Sequence, residues 1–235
     1  MKRLPTIVYF ALSAVVLLGA CAPTQKVMIS PNFWQESDHT VGVALVAFPQ
    51  GRVANFGSGS GLVYEAKIAS ASAPIKYRLK YTYPANFIGV QSLFAEKLKT
   101  KGFKVIKIDH ILKRDRMSWR ADSKEISTVA LDYRVDYLIV LQLSDFGVSC
   151  IYMGYQPHPQ LPAQVQIQVI GEMIDVKSNK VMWRNKFSEG SFTRYVAAKC
   201  TEPDDCPTII DALNGEIDKG VIYLYEDFFG EKPGP

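Results

Sequence analysis

The sequence predicts an α/β fold, a single mixed β-sheet with helices packed on it, in the element order β-α-β-α-β-β-β-α. Two continuous apolar runs rich in β-branched residues, 41–48 and 137–143, are typical of strands buried on both faces. Helical periodicity fills residues 87–101 between them. Beyond them, alternation over 165–175 and a partner run over 181–187 indicate a hairpin. Right-handed crossovers make the first three strands mostly parallel, and the hairpin adds antiparallel strands.

The first half of the chain contains one firm helix between two strands. Residues 50–85, after the first strand, are interpreted as an insertion with one short helix over 62–71. The helix over 87–101 has one apolar stripe, and Gly102 is placed to cap its end. The apolar run 103–108 predicts the second strand.

The second half is marked by cap and turn residues. Asp122 and Glu125 resemble a capping box that opens the next helix. A proline-rich loop over 157–162 precedes the hairpin, in whose turn Asn179 suits a positive φ. The final helix begins at Pro207. Its apolar stripe consists of Ile210, Leu213, Ile217, Val221, Leu224 and Phe228.

The N-terminal leader predicts export and lipid attachment. Two cations precede an apolar stretch over 7–18 that is too short to span a bilayer comfortably, and Leu-Gly-Ala stands directly before Cys21. This ending resembles the bacterial lipobox, which implies removal of residues 1–20 and a diacylglycerol thioether on Cys21. Two or three acyl chains hold a protein firmly at a membrane. The alternative is an ordinary secretory signal or a membrane anchor with a chance cysteine.

The mature chain is predicted to have three parts, a tether over 21–38, one periplasmic domain over 39–230 and a tail over 231–235. An aspartate after the lipidated cysteine retains lipoproteins in the inner membrane of many Gram-negative bacteria, so Ala22 favours the outer membrane. Loss of the leader's two cations lowers the formal net charge from +4 to +2. This balance is too mild to indicate a nucleic-acid partner.

Three cysteines besides Cys21 bear on stability. An exported chain meets an oxidising compartment, so a disulfide is expected. Cys200 and Cys206 flank a polar, turn-like pentapeptide, and we predict that they pair. Cys150 is predicted to be a buried free thiol, and its pairing with Cys200 or Cys206 is the main alternative. The pentapeptide has too few carboxylates for calcium and no nearby histidine for zinc, so we predict no metal site.

The chain shows no convergent catalytic set, and we expect a protein that is not an enzyme and needs no cofactor. The glycine-rich run 57–61 lacks the ending of a phosphate loop and has glycine where a nucleophile elbow needs serine. The histidines His39, His110 and His158 lie in separate segments. A catalytic triad can be assembled from distant residues, but nothing in the sequence marks a nucleophile.

Three stretches resemble a group of periplasmic α/β domains: 94–105, 135–141 and 172–183. The last has a strand, an Asp-x-x-Ser-Asn turn and a strand ending in tryptophan. The pattern and element order are similar to those of the curli-secretion lipoprotein, the penicillin-binding-protein activator lipoproteins and the TolB amino-terminal domain. The resemblance covers most of 41–229, implies the α/β domain and supplies no catalytic residues. The 50–85 insertion and the 144–163 loop depart from it, and the chain lacks the long transmembrane hairpins of the curli pore.

Tyrosines in and after the insertion are the candidate partner-binding residues. They are Tyr77, Tyr81, Tyr83, Tyr152 and Tyr155. The first three are interleaved with lysine and arginine, and tyrosine and arginine are enriched at protein interfaces. The alternative is that these tyrosines pack over the sheet edge.

These observations predict a non-enzymatic assembly, structural or regulatory subunit of a cell-envelope complex, such as a secretion or transport apparatus or cell-wall machinery. We expect an outer-membrane anchor through N-terminal acyl chains and other envelope proteins as partners. The alternative is a periplasmic small-molecule or glycan-binding lipoprotein, or a hydrolase, with a pocket roofed by 50–85 and 144–163. A pocket that holds Tyr77, Tyr152 and a histidine would favour this alternative, and a broad flat patch would favour docking.

Overall fold

Seven strands form one mixed sheet in the computed structural model, which describes residues 25–35, 38–57, 62–115, 121–152 and 162–234. The strands are β1 (Thr40–Leu45), β2 (Arg52–Gly57), β3 (Lys104–Lys107), β4 (Tyr137–Tyr152), β5 (Ala163–Asp175), β6 (Lys180–Arg184) and β7 (Ser191–Val196). The α-helices of this part of the chain are α1 (Leu62–Ala71), α2 (Ala73–Tyr81), α3 (Ala85–Thr100), α4 (Ser123–Asp132) and α5 (Cys206–Phe229). Short 3₁₀ turns cover Pro31–Gln35 and Pro203–Asp205. The predicted α/β class with a single mixed sheet is confirmed.

Two long central strands, β4 and β5, organise the sheet. They pair antiparallel from Tyr137 opposite Asp175 to Ser149 opposite Gln164. The first half of β4 pairs in parallel with β1, which pairs in parallel with β3, and the second half pairs in parallel with β2. Strand β5 is likewise shared: its first half pairs antiparallel with β7, and its second half pairs antiparallel with β6. The strand order is therefore β3-β1-β4-β5-β6 at one end and β2-β4-β5-β7 at the other.

Helices pack on both faces of the sheet. On one face α1, α2, α3 and α5 enclose the main core, whose fully buried side chains include Phe87, Phe94, Phe146, Trp183 and Phe228. On the other face α4 packs over β1 and the first half of β4 in a smaller apolar cluster. Strand β1 is buried on both sides, which accounts for its continuous apolar run. Among the described helices, none is long and apolar enough to cross a membrane.

Cap and turn residues confirm part of the local predictions. Asn179 adopts a φ of 54° in the β5–β6 turn. The Asp122 carboxylate accepts the Lys124 backbone N–H at 2.9 Å and caps α4. Glu125 instead accepts the Lys113 backbone N–H, so only half of the predicted capping box forms.

Residues 25–35 are held along the edge of the sheet. Val27 and Arg184 exchange backbone hydrogen bonds of 2.9 Å, which extends the sheet beyond β6. The Lys26 ammonium pairs with the Asp227 carboxylate, whose side chain is almost completely buried. This contact raises the pKa of Lys26, although partial burial opposes the shift.

Two aromatic side chains complete the attachment of this segment. Phe33 is buried, and its ring stacks on Phe103 at 4.8 Å between centroids. Trp34 meets Phe228 edge to face at 5.6 Å. Residues 25–35 of the predicted tether over 21–38 therefore pack on the domain, because these side chains bury apolar area against it.

Candidate functional site

Three of the predicted partner-binding tyrosines lie together on α2 and the segment after it. Within α2, Ile75 and Leu79 are fully buried. Tyr77 and Tyr81 point to solvent, and each residue is 65% exposed. Their i,i+4 spacing brings the two ring centroids to 4.9 Å. Tyr83 follows the helix and is 59% exposed.

Two grooves adjoin at Thr82 beside these tyrosines. The first has a volume of about 490 Å³ and lies between α2 and the first turns of α5. The second has a volume of about 300 Å³ and is lined by Tyr83, Phe48 and the exposed Ile111, among others. We call the exposed rings of Tyr77, Tyr81 and Tyr83, with the two grooves, the tyrosine surface.

Cations stand among the rings of the tyrosine surface. The Lys80 ammonium lies 5.5 Å from the centroid of the Tyr81 ring, a cation–π arrangement. Arg78 lines the first groove together with Asp211. The surface thus combines aromatic area, which binds apolar groups, with guanidinium and ammonium groups, which bind carboxylates.

A free thiol lies on the wall of the first groove. Cys206 is buried at the start of α5, and its thiol lies 3.8 Å from the Glu202 carbonyl oxygen. Burial raises the pKa of Cys206 and outweighs the opposing charge of Arg78. The thiol therefore stays protonated at neutral pH and is a poor nucleophile.

The disulfide joins Cys150 and Cys200, with 6.0 Å between their Cα atoms, so the predicted Cys200–Cys206 pairing is wrong. Cys150 points into the main core from β4. After β7 the chain runs beside Ala163, whose N–H donates to Ala198 at 3.1 Å, and this brings Cys200 towards β4. Cys206 instead begins α5 on the wall of the groove.

Tyr152 does not belong to the tyrosine surface. It is the last residue of β4 and only 1% exposed, and burial raises the pKa of its hydroxyl. Its prediction as an exposed partner-binding residue is wrong because β4 continues its inward-facing row of side chains to this position. Cys21, Tyr155 and His158 lie outside the described residues.

A separate polar groove of about 510 Å³ lies beside α4. There His110 Nε2 is 2.8 Å from a Glu125 carboxylate oxygen. Burial acts to raise the pKa of Glu125, but hydrogen bonds from His110 and the Lys113 backbone outweigh it and lower the pKa. Across the described residues, no group of three or more His, Cys, Asp or Glu is arranged to hold a metal ion.

No protein-family model and no curated protein matches this chain. Among solved structures, hypothetical protein CT253 from Chlamydia trachomatis is 9% identical, with 81% of this chain and 97% of that chain covered and a TM-score of 0.37. The LpoB C-terminal domain from Salmonella enterica is 8% identical, with 68% and 84% covered and a TM-score of 0.24. Lipoprotein GNA1162 from Neisseria meningitidis is 13% identical, with 77% and 99% covered and a TM-score of 0.25. All three TM-scores lie below 0.5.

Proposed function

We propose that this chain is a lipid-anchored, non-enzymatic outer-membrane protein whose α/β domain docks onto another envelope protein through the tyrosine surface. The observation that supports this most is the exposure of Tyr77, Tyr81 and Tyr83, at 59–65% each, on one surface between two grooves. A buried interfacial tyrosine contributes a large apolar area and a polar hydroxyl, and such residues often dominate binding.

The clustering of these side chains is what distinguishes them from ordinary surface tyrosines. Single exposed apolar residues are common, whereas a contiguous exposed patch usually marks an interaction site. Here Ile111, 48% exposed, and the half-buried Phe48 adjoin Tyr83 in the second groove. The alternative of tyrosines packed over the sheet edge does not fit the exposure of Tyr77 and Tyr81.

The chemistry of the first groove favours docking over hydrolysis. Tyr152 is buried away from it, and neither His39 nor His110, the described histidines, lines it. Its thiol, Cys206, is kept protonated by burial. We therefore expect the partner to present apolar side chains to the rings and carboxylates to the cations of α2.

The double substitution Tyr81→Ala and Tyr83→Ala is expected to abolish most partner binding without unfolding the domain. An aromatic anchor contributes about 2 kcal/mol or more to an interface, so two anchors change affinity by roughly a thousandfold. Exposed substitutions usually change stability by about 0.5 kcal/mol or less. Cross-linking of the tagged chain in cells with mass spectrometry measures partner recovery, and thermal unfolding measures stability.

Two variants control this experiment. Tyr195→Ala removes an equally exposed tyrosine from β7 and is expected to leave partner recovery unchanged. Leu213→Ala opens a cavity in the core and is expected to cost about 2–5 kcal/mol of stability. Unfolding of the double variant comparable to that of Leu213→Ala, or equal loss of partners in Tyr195→Ala, would contradict the docking assignment.

Cys21→Ser is expected to release the protein from the membrane. Without the thiol no thioether forms, so the chain remains unprocessed or becomes soluble, while the folded domain is unchanged. Membrane fractionation and the mass of the N-terminal peptide measure this directly. A substituted chain that is still matured and bound to the outer membrane would reject the lipid anchor.

A further inference from the structure

The place where the chain enters the domain lies beside a turn after β6. Lys26 approaches Glu189 to 3.7 Å, and Val27 is hydrogen-bonded to Arg184. Glu189 and Gly190 donate backbone hydrogen bonds to the Lys186 carbonyl at 3.0 and 3.2 Å, which closes the turn. The N-terminal side of the described chain is therefore fixed against the β6 edge and this turn.

Few residues separate this place from the proposed lipid attachment site. At about 3.6 Å per residue, the chain from Cys21 to Gln25 spans at most about 14 Å. An acyl chain on Cys21 therefore holds this side of the domain next to the bilayer. A short tether raises the effective concentration of its two ends to about the millimolar range, so even a weak contact is populated.

The exposed side chains near the backbone pairing of Val27 with Arg184 suit a lipid surface. Met28 is 65% exposed and follows Val27, and Phe187 is 42% exposed in the turn that begins with Lys186. The charges beside them are matched, since Lys186 pairs with Glu189 at 3.3 Å and Lys26 pairs with Asp227. Apolar side chains next to balanced charges fit the boundary between headgroups and acyl chains.

We infer that Met28 and Phe187 contact the surface of the membrane that anchors the chain, an inference that rests on the proposed lipid attachment. This contact orients the domain. Helix α5 runs from Asp227, on the membrane side, to Ile210 in the first groove, and a rise of 1.5 Å per residue separates them by about 26 Å. The tyrosine surface is thereby held at the opposite end of α5, free to meet a partner.

Site-specific photo-cross-linking of the full chain in cells tests this orientation. We place p-benzoylphenylalanine at Phe187 and, as a matched control, at Leu131. Leu131 is 71% exposed on α4, which packs on the sheet face opposite the main core. After irradiation, we expect roughly tenfold more phospholipid adduct at 187 than at 131, because the short tether keeps the turn at the bilayer. Phe187→Ser is expected to leave the melting temperature unchanged.

The mass of the N-terminal peptide, measured in the same samples, separates the possible failures. An acylated chain with equal lipid adducts at 187 and 131, or with protein adducts alone at 187, overturns the membrane-facing assignment and leaves the lipid anchor standing. A chain without acyl groups overturns the anchor and, with it, this inference. Preferential phospholipid adducts at 187 on an acylated chain support both.

Discussion

Replacement of Cys150 and Cys200 together by alanine is expected to lower the free energy of unfolding by about 4 kcal/mol. The bridge joins residues 50 positions apart, and a cross-link over a loop of this length removes much of the conformational freedom of the unfolded chain. For a domain of this size the loss corresponds to a fall in melting temperature of roughly 8–16 °C. Thermal and urea unfolding of the purified mature chain measure it.

Cys206→Ala is the matched control for this prediction. This substitution also removes a buried cysteine sulfur, but it leaves the Cys150–Cys200 disulfide intact. The expected loss in the free energy of unfolding is therefore about 1 kcal/mol. A reductant should lower the stability of the wild-type chain and leave the double variant unaffected. Non-reducing peptide maps that place Cys206 in a disulfide would reject the assigned pairing, as would equal destabilisation by Cys206→Ala.

The sequence predicts elements whose signals are local. Helix α1 coincides with the predicted helix, and the stripe of α3 is buried as expected, because a helical period can be read within a few turns. Gly102 adopts a φ of 93° and Asn179 one of 54°, conformations that the residue types themselves favour. These parts of the fold need no knowledge of distant contacts.

The sequence does not predict the second half of β4, where a bulge changes the phase of the strand. The pairing register with β5 shifts between Leu143 and Asp145. Beyond the shift, Phe146, Val148, Cys150 and Tyr152 point into the main core. The continuous apolar run that predicts this strand ends at Leu143, so 144–152 is interpreted as part of the 144–163 loop. Interpretation of this segment as a loop accounts for the wrong assignment of Tyr152, and the disulfide that forms, Cys150–Cys200, is the alternative pairing.

Elements at the border of the sheet leave weak signals for another reason. β2 and β7 are edge strands with many exposed side chains, so they lack the continuous apolar runs that mark the central strands. In α2 only Ile75 and Leu79 are buried, and with so few anchors the alternation of tyrosine and lysine hides the helical period. The tyrosine surface is therefore predicted by residue type, while its two grooves depend on tertiary packing.

Trp183→Ala is expected to cost about 3–5 kcal/mol of stability, because the indole fills space at the centre of the core. Trp183 is fully buried, and its ring centroid lies 4.8 Å from that of Phe228. A Cβ on Gly171 would clash with the indole, so the ring occupies room that only glycine leaves open. Removal of the indole creates a cavity that the surrounding sheet and helix cannot close.

Trp183→Phe separates the packing of the indole from its hydrogen bond. The indole Nε1–H donates to Asp227 at 2.9 Å, and Asp227 also holds Lys26 of the N-terminal segment. A phenyl ring keeps most of the packing but loses this donor. We expect the free energy of unfolding to fall by about 1.5–3 kcal/mol as a result. Urea unfolding ranks the variants, and hydrogen exchange at Val27 reports whether the segment loosens with Asp227. Tyr195→Ala, which truncates a solvent-exposed aromatic side chain, should stay within about 0.5 kcal/mol of wild type. A Trp183→Ala variant as stable as Tyr195→Ala would contradict the central role of the indole.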